Sequence, residues 1–181
     1  MAKLIAIRPI EAADEADVQR YASDPRLAAT CNVPCPYPPN GAQQFLDRAI
    51  AGRASGRHYV FAVLADGHFA GLMTLNAVNI IEGTAHLDYW IAVPFWGQGI
   101  GTAGAGLAME FAFRRLGLGL LRSGCLVANP ASARILEKNG FSPVGIFINE
   151  GTYGSKFSNA QIMRYELRRE DWEARVSLAQ P

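Results

Sequence analysis

The stretch WIAVPFWGQGIGTAGAG, residues 90–106, joins two kinds of pattern. It begins in an apolar run that Pro94 interrupts, and after Thr102 it reads as a helix. Five glycines stand at 97, 99, 101, 104 and 106. Glycine inside a helix costs roughly 0.5–1 kcal/mol against alanine, so several at one helix start need a reason. The first amides of a helix have no partner within it and carry its partial positive charge. Stripped of side chains, they let an anion reach the backbone, and phosphate is the usual guest. The competing use of the same glycines is a tight turn with close helix–sheet packing.

Two other phosphate motifs fit less well. Gly99-Ile100-Gly101-Thr102-Ala103-Gly104 spells G-x-G-x-x-G. A dinucleotide fold would then place an acidic residue at the end of the next strand, for the ribose. That strand ends Cys125-Leu126-Val127-Ala128-Asn129, without an acid. The motif also follows a hairpin and a further strand rather than opening a βαβ unit. A P-loop would add Gly-Lys-Ser/Thr, which is absent.

Outward from this stretch the chain alternates. Residues 3–10 are a short β-rich run, and 11–23 are helical with acids at the start, as the helix dipole favours. Residues 33–41 hold four prolines and form a loop, and a helix resumes with Phe45, Leu46, Ala49 and Ile50 on one stripe. Asp66-Gly67 turns one strand into another, and 83–93 is a third strand closed by Pro94. The glycine-rich helix runs to about Arg115, followed by a strand over 118–128. Asn129, Pro130 and Asn139-Gly140 then punctuate a short helix. Two strands, 141–148 and 159–167, finish the pattern, and 168–181 read as a charged tail. The expectation is one domain over 1–181 in the α+β class. It would be a three-layer α/β/α arrangement with a mixed, mostly antiparallel sheet of six to seven strands and helices on both faces.

Composition narrows the function. In 181 residues, half of them hydrophobic, 17 Lys and Arg balance 16 Asp and Glu. That balance gives no reason to expect nucleic acid or an anionic membrane. No apolar run approaches the roughly 20 residues of a membrane span, and the first residues do not read as a secretory signal. The cytoplasm is the expected compartment. Cys31, Cys35 and Cys125 do not make a disulfide framework. His58, His68 and His86 lack ligand spacing, so no metal is expected.

The stretch resembles motif A of the GCN5-related N-acetyltransferases, whose pyrophosphate loop reads Q/R-x-x-G-x-G/A. Here it is Trp96-Gly97-Gln98-Gly99-Ile100-Gly101, with Trp96 in place of the usual Gln or Arg. That departure, after a Tyr-Trp strand, is similar to the ribosomal-protein (RimJ/RimL-like) branch. About thirty residues on, Asn129-Pro130-Ala131-Ser132 through Lys138-Asn139-Gly140-Phe141 matches the branch pattern N-x-x-S-x-x-x-x-x-K-x-G-F. The N-terminal IRPIEAADEADV and VPCPYPP agree with its layout.

The resemblance implies an N-acetyltransferase acting on acetyl-CoA and a primary amine, through direct attack and a tetrahedral intermediate. It implies the pyrophosphate on the amides of Gln98, Gly99, Gly101 and Thr102. Pantetheine would lie along Ile91 and Val93 as a pseudo-strand where two strands splay, with Asn129 also touching it. Arg134 and Lys138 are candidates for the 3′-phosphate. Ser132 is the candidate hydrogen-bond donor to the leaving sulfur, and Glu150 the candidate general base. Glu82, Asp88, His86 or a water chain are the alternatives for that base. Tyr37 and its prolines would border the acceptor pocket. The acceptor is a protein N-terminus or a small amine, and homodimer formation stays open. A non-catalytic acyl-CoA sensor and, further off, a nucleotide-dependent oxidoreductase are the rival readings.

Overall fold

The computed structural model describes residues 3–151 and 155–178. In chain order the elements are β1 (Ile5–Pro9), α1 (Glu15–Ala22), α2 (Pro25–Ala28), α3 (Gly41–Ala54), β2 (Tyr59–Ala65), β3 (His68–Asn79) and β4 (Thr84–Ile91). Then follow α4 (Ile100–Glu110), β5 (Leu120–Leu126), α5 (Pro130–Lys138), β6 (Ser142–Ile148), β7 (Gln161–Arg168) and α6 (Arg169–Leu178). The seven strands form one sheet in the order β1-β2-β3-β4-β5-β7-β6. Every neighbouring pair is antiparallel except β4 with β5.

Strand alternation sorts the two faces. Phe61, Val63, Met73, Leu75, Leu87 and Ile91 join residues of α4, α5 and α6 in the larger core. Val60, Ala62, Leu72 and the neighbouring Trp90 join α1 and α3 in the smaller one. The β2–β3 hairpin turns through Asp66 and Gly67, both at positive φ, the geometry an Asp-Gly pair adopts readily. Asp66 Oδ1 also accepts the Leu4 amide at 2.9 Å, which ties the chain start to the hairpin. Residues 169–178 form a helix where the sequence reads as a tail. Trp172 is the cause: it is buried, and its ring lies 5.2 Å from that of Phe113.

The parallel junction positions everything that follows. β4 and β5 share register only over Thr84–His86 against Leu120–Arg122. Ser123 Oγ donates one more bond, 2.8 Å, to the Leu87 carbonyl. From Asp88 to Ile91, β4 pairs with β3, while β5 from Ser123 to Leu126 pairs with β7. The two strands therefore splay, and a cleft passes between them.

Candidate functional site

The cleft has a volume of about 1170 Å³ and reaches from the head of α4, through the splay, to the face covered by α1 and α3. At its first end lies the glycine loop. Gly97 and Gly99 have φ of +72° and +76°, and a Cβ at either would meet nothing within 4 Å. The first bond of the helix runs from the Ala103 amide to the Gly99 carbonyl at 3.1 Å. The amides of Ile100, Gly101 and Thr102 thus precede the helical ladder. Gly97 to Thr102 all line the cleft.

Gly101 has a different reason to be glycine. Its φ is not in the left-handed region, but a Cβ there would stand 2.6 Å from Ile135 Cδ1. This glycine lets α4 approach α5, whereas Gly97 and Gly99 allow the turn. Both parts of the packing use are present, the turn at Gly97 and Gly99 and the close approach at Gly101. Trp96 braces the loop: its Nε1 donates to the Ile91 carbonyl at 2.6 Å, and Gln98 Nε2 donates to the Pro94 carbonyl at 2.9 Å.

The strand expected to reach Val93 stops at Ile91. Val93 instead opens a 3₁₀ turn with Pro94 and Phe95, and its carbonyl accepts the Trp96 amide at 3.2 Å. Proline at the second position of that turn lacks the donor that would extend the ladder. Ile91 lines the cleft; Val93 is not among the described residues that do.

Across the splay stands the N-terminus of α5. Asn129 Oδ1 accepts the Ser132 amide at 3.2 Å, which caps the helix, while its Nδ2 donates to the Thr30 carbonyl at 3.2 Å. The Tyr89 hydroxyl lies 2.8 Å from Ser132 Oγ, a contact in which either hydroxyl can donate, and has the Ser132 carbonyl at 3.1 Å as an acceptor for its one proton. Burial drives the Tyr89 phenol well above its ordinary range, with the Ser132 hydrogen bond opposing. It is a neutral donor at any physiological pH. Cys125, on the same side, is a thiol pushed up by burial. Sequence reading passes over Tyr89. A phenol alternating with Leu87 and Ile91 on an apolar face needs a partner, and that is the signal that marks it.

The other face of β4 is polar. Cross-strand pairs Thr74↔Asp88 and Asn76↔His86 lie there, next to Leu72↔Trp90. His86 Nδ1 is 3.2 Å from Asp88 Oδ1, and Asn76 Nδ2 donates to Asp88 Oδ2. Burial works to raise the Asp88 carboxyl. Hydrogen bonds from His86 and Asn76, with the charges of His86 and His58, overcome it and hold the group below the ordinary carboxylate range. Tyr37 closes the far wall, its ring over Gly41, where a Cβ would come within 2.8 Å of it. Arg48, Gln44 and Phe45 of α3 complete that wall.

The loop after α2 roofs the cleft with Thr30, Cys31, Asn32 and Val33. Lys156 clamps it: Nζ donates to the carbonyls of Ala28, of Cys31 at 3.2 Å and of Val33 at 2.7 Å. Arg134 and Lys138 line the cleft along α5. Glu150 is exposed just beyond the end of β6 and is not among the described lining residues. Among the described residues, no group of three His, Cys, Asp or Glu is arranged to hold a metal, and no helix is long and apolar enough to cross a membrane.

Comparison with known proteins agrees with this architecture. The chain is 30% identical over 111 residues to "Putative ribosomal N-acetyltransferase YdaF" of Bacillus subtilis, which covers 61% of this chain and 60% of that protein. It is 32% identical over 100 residues to spermidine N(1)-acetyltransferase of Escherichia coli, covering 55% and 54%. The matches thus span somewhat over half the length of these curated relatives. The solved structure of Mycobacterium smegmatis RimJ in complex with CoA-disulfide superposes with a TM-score of 0.83 at 20% identity, over 97% of this chain and 88% of that one. At that identity the likeness speaks for the fold. The model of the acetyltransferase (GNAT) domain matches residues 5–142, through the glycine loop and α5, and on this ground the chain belongs to the GNAT family.

Proposed function

We propose that the protein is an acetyl-CoA-dependent N-acetyltransferase whose acceptor carries one amine, at a protein N-terminus or on a small molecule. One observation carries this reading. A glycine-rich helix start opens into a cleft that crosses the sheet at a strand splay, with donors on one face of β4 and a carboxylate–imidazole pair on the other. The amides of Gln98, Gly99, Gly101 and Thr102 would hold the pyrophosphate. Pantetheine amides would lie along β4 at Ile91 and near Asn129, filling the missing ladder. Val93 is left to the turn. Ser132, with Tyr89 behind it, would offer a hydrogen bond to the departing sulfur.

The acceptor side argues against a polyamine. Asp88 is the one carboxylate among the described lining residues, and it is already engaged by His86 and Asn76. Arg48 shares that wall. A chain of several ammonium groups would meet one anion and one cation there, which favours an acceptor with a single positive charge.

The test is CoA release across a panel of N-terminal peptides, amino acids, small amines and spermidine. Turnover on monoamines or N-termini, with spermidine weaker, is the expected result. Tight acetyl-CoA binding without turnover on any amine would refute the enzyme reading and leave a sensor.

A further inference from the structure

We propose that His86 is the general base, oriented by Asp88, which Asn76 holds in place. The inference rests on the acetyltransferase reading and assigns its missing proton acceptor.

Three observations place it. First, the strand register puts His86 and Asp88 on the face of β4 that looks towards α1 and α3, opposite the Tyr89–Ser132 pair. A nucleophile arriving on one face and a leaving group departing on the other is what the splay permits. Second, His86 and Asp88 both line the cleft, whereas Glu150 is not among the described lining residues. Third, the pair is built. Asp88 sits 3.2 Å from Nδ1 and takes the Asn76 amide on its other oxygen. A carboxylate at Nδ1 selects the tautomer with its proton there, which leaves Nε2 as the basic nitrogen.

The proton balance is simple. The acceptor enters as an ammonium and gives one proton to His86 Nε2, directly or through a water. The neutral amine forms the C–N bond to the thioester carbonyl, and the C–S bond breaks. The amine's second proton ends on the departing sulfur, by way of the hydroxyls at Ser132 and Tyr89. His86 then returns its proton to solvent. Asp88 stays ionised throughout, as its lowered pKa requires, and stabilises the imidazolium.

Other charges surround the imidazole. Arg122, its register partner on β5, is paired with Glu166 at 3.2 Å. His58, ahead of β2, acts on Asp88, and Arg48 lines the opposite wall. Asp88 is the anion in direct contact with the imidazole.

The experiment measures kcat/KM against pH for the parent, His86→Ala, His86→Gln, Asp88→Asn and Glu150→Gln, with the best acceptor from the panel. Thermal unfolding confirms that each variant is folded. Losing a general base typically costs 10²–10⁴-fold, and both His86 variants should show that loss near neutral pH. The deficit should shrink as pH rises and free amine appears. Added imidazole should restore part of the His86→Ala rate but not the His86→Gln rate. Asp88→Asn should lower kcat with acetyl-CoA affinity unchanged, a split that a packing defect would not produce. If the parent turns over and His86→Gln keeps within about twofold of its rate at every pH, or if Glu150→Gln alone abolishes the acidic limb, the inference is overturned while the acetyltransferase reading stands. If the parent acetylates no amine, that reading fails first.

Discussion

Replacing Gly101 by alanine isolates the packing role of one glycine from the anion-binding role proposed for its neighbours. A Cβ there would lie 2.6 Å from Ile135 Cδ1, well inside contact distance, but 3.5 Å from Ile135 Cγ1 and 3.4 Å from Ile91 Cγ1. Alanine gains about 1 kcal/mol of helix propensity over glycine. Forcing a methyl into a filled contact costs typically 1–3 kcal/mol. The Ile135 side chain has some freedom to move, so the net effect should be a loss of about 1 kcal/mol. Ile135→Val removes the one atom that clashes. Alone it should cost about 0.5–1.5 kcal/mol. In the Gly101→Ala background it should cost nothing or stabilise, because the new methyl fills the space that Cδ1 vacates. The measurement is a double-mutant cycle by urea unfolding, with the slope m checked for constancy. A favourable coupling of about 1 kcal/mol is expected. Additivity within about 0.3 kcal/mol would mean that α4 and α5 do not meet as described.

Three further outcomes are open to measurement. Acetyl-CoA at 100 times its Kd should stabilise the fold by about 2.7 kcal/mol, while NAD and ATP at equal concentration leave the melting temperature unchanged; no shift at millimolar acetyl-CoA would remove the ligand assignment. Ser132→Ala should lower kcat about 10²-fold or more with acetyl-CoA affinity little changed, and a drop of only about twofold would reduce Ser132 to a helix-start residue. Burial works to raise the Asp14 carboxyl, but the Arg8 guanidinium at 2.7 Å and the Glu11 amide pull it below its ordinary value. Its contribution is therefore present above the unfolded carboxylate pKa, about 3.9, and lost as pH falls through the lower folded value. In acid unfolding curves, Asp14→Asn should differ from the parent at neutral pH and converge with it at the acid end.

The sequence carried the order of strands and helices because its punctuation is local. Pro94, Asp66-Gly67, Asn129-Pro130 and Asn139-Gly140 each act within a few residues, and each marks a real boundary to within two or three positions. What it did not carry depends on contacts between distant segments. Trp172 makes a helix out of an apparent tail only because Phe113 waits for it. Gly99 and Gly101 look alike in a string, and only the position of Ile135 tells the turn residue from the packing residue. Trp96 reads as a lost Gln or Arg until its indole is seen on the Ile91 carbonyl. Tyr89 and Ser132 stand 43 residues apart, and no spacing rule joins them. The register that brings Asn76, His86 and Asp88 together is likewise invisible in their spacing.

The splayed junction also bears on how the chain assembles. β2, β3 and β4 form a meander whose turns are short, and β6 with β7 form a second antiparallel pair, so each can gather around nearby residues. β5 must then join β7 on one side and β4 on the other, and its parallel pairing with β4 spans the whole of α4. Pairings across long sequence separations close late because their loop entropy is lost before contacts reward it. Here that late closure yields three register pairs and the Ser123 bond. The two halves of the sheet should thus behave as separate cooperative units in amide exchange, with the boundary between them running through the cleft. A ligand seated there would bridge the units, and the last region to form would become the one that gains most protection.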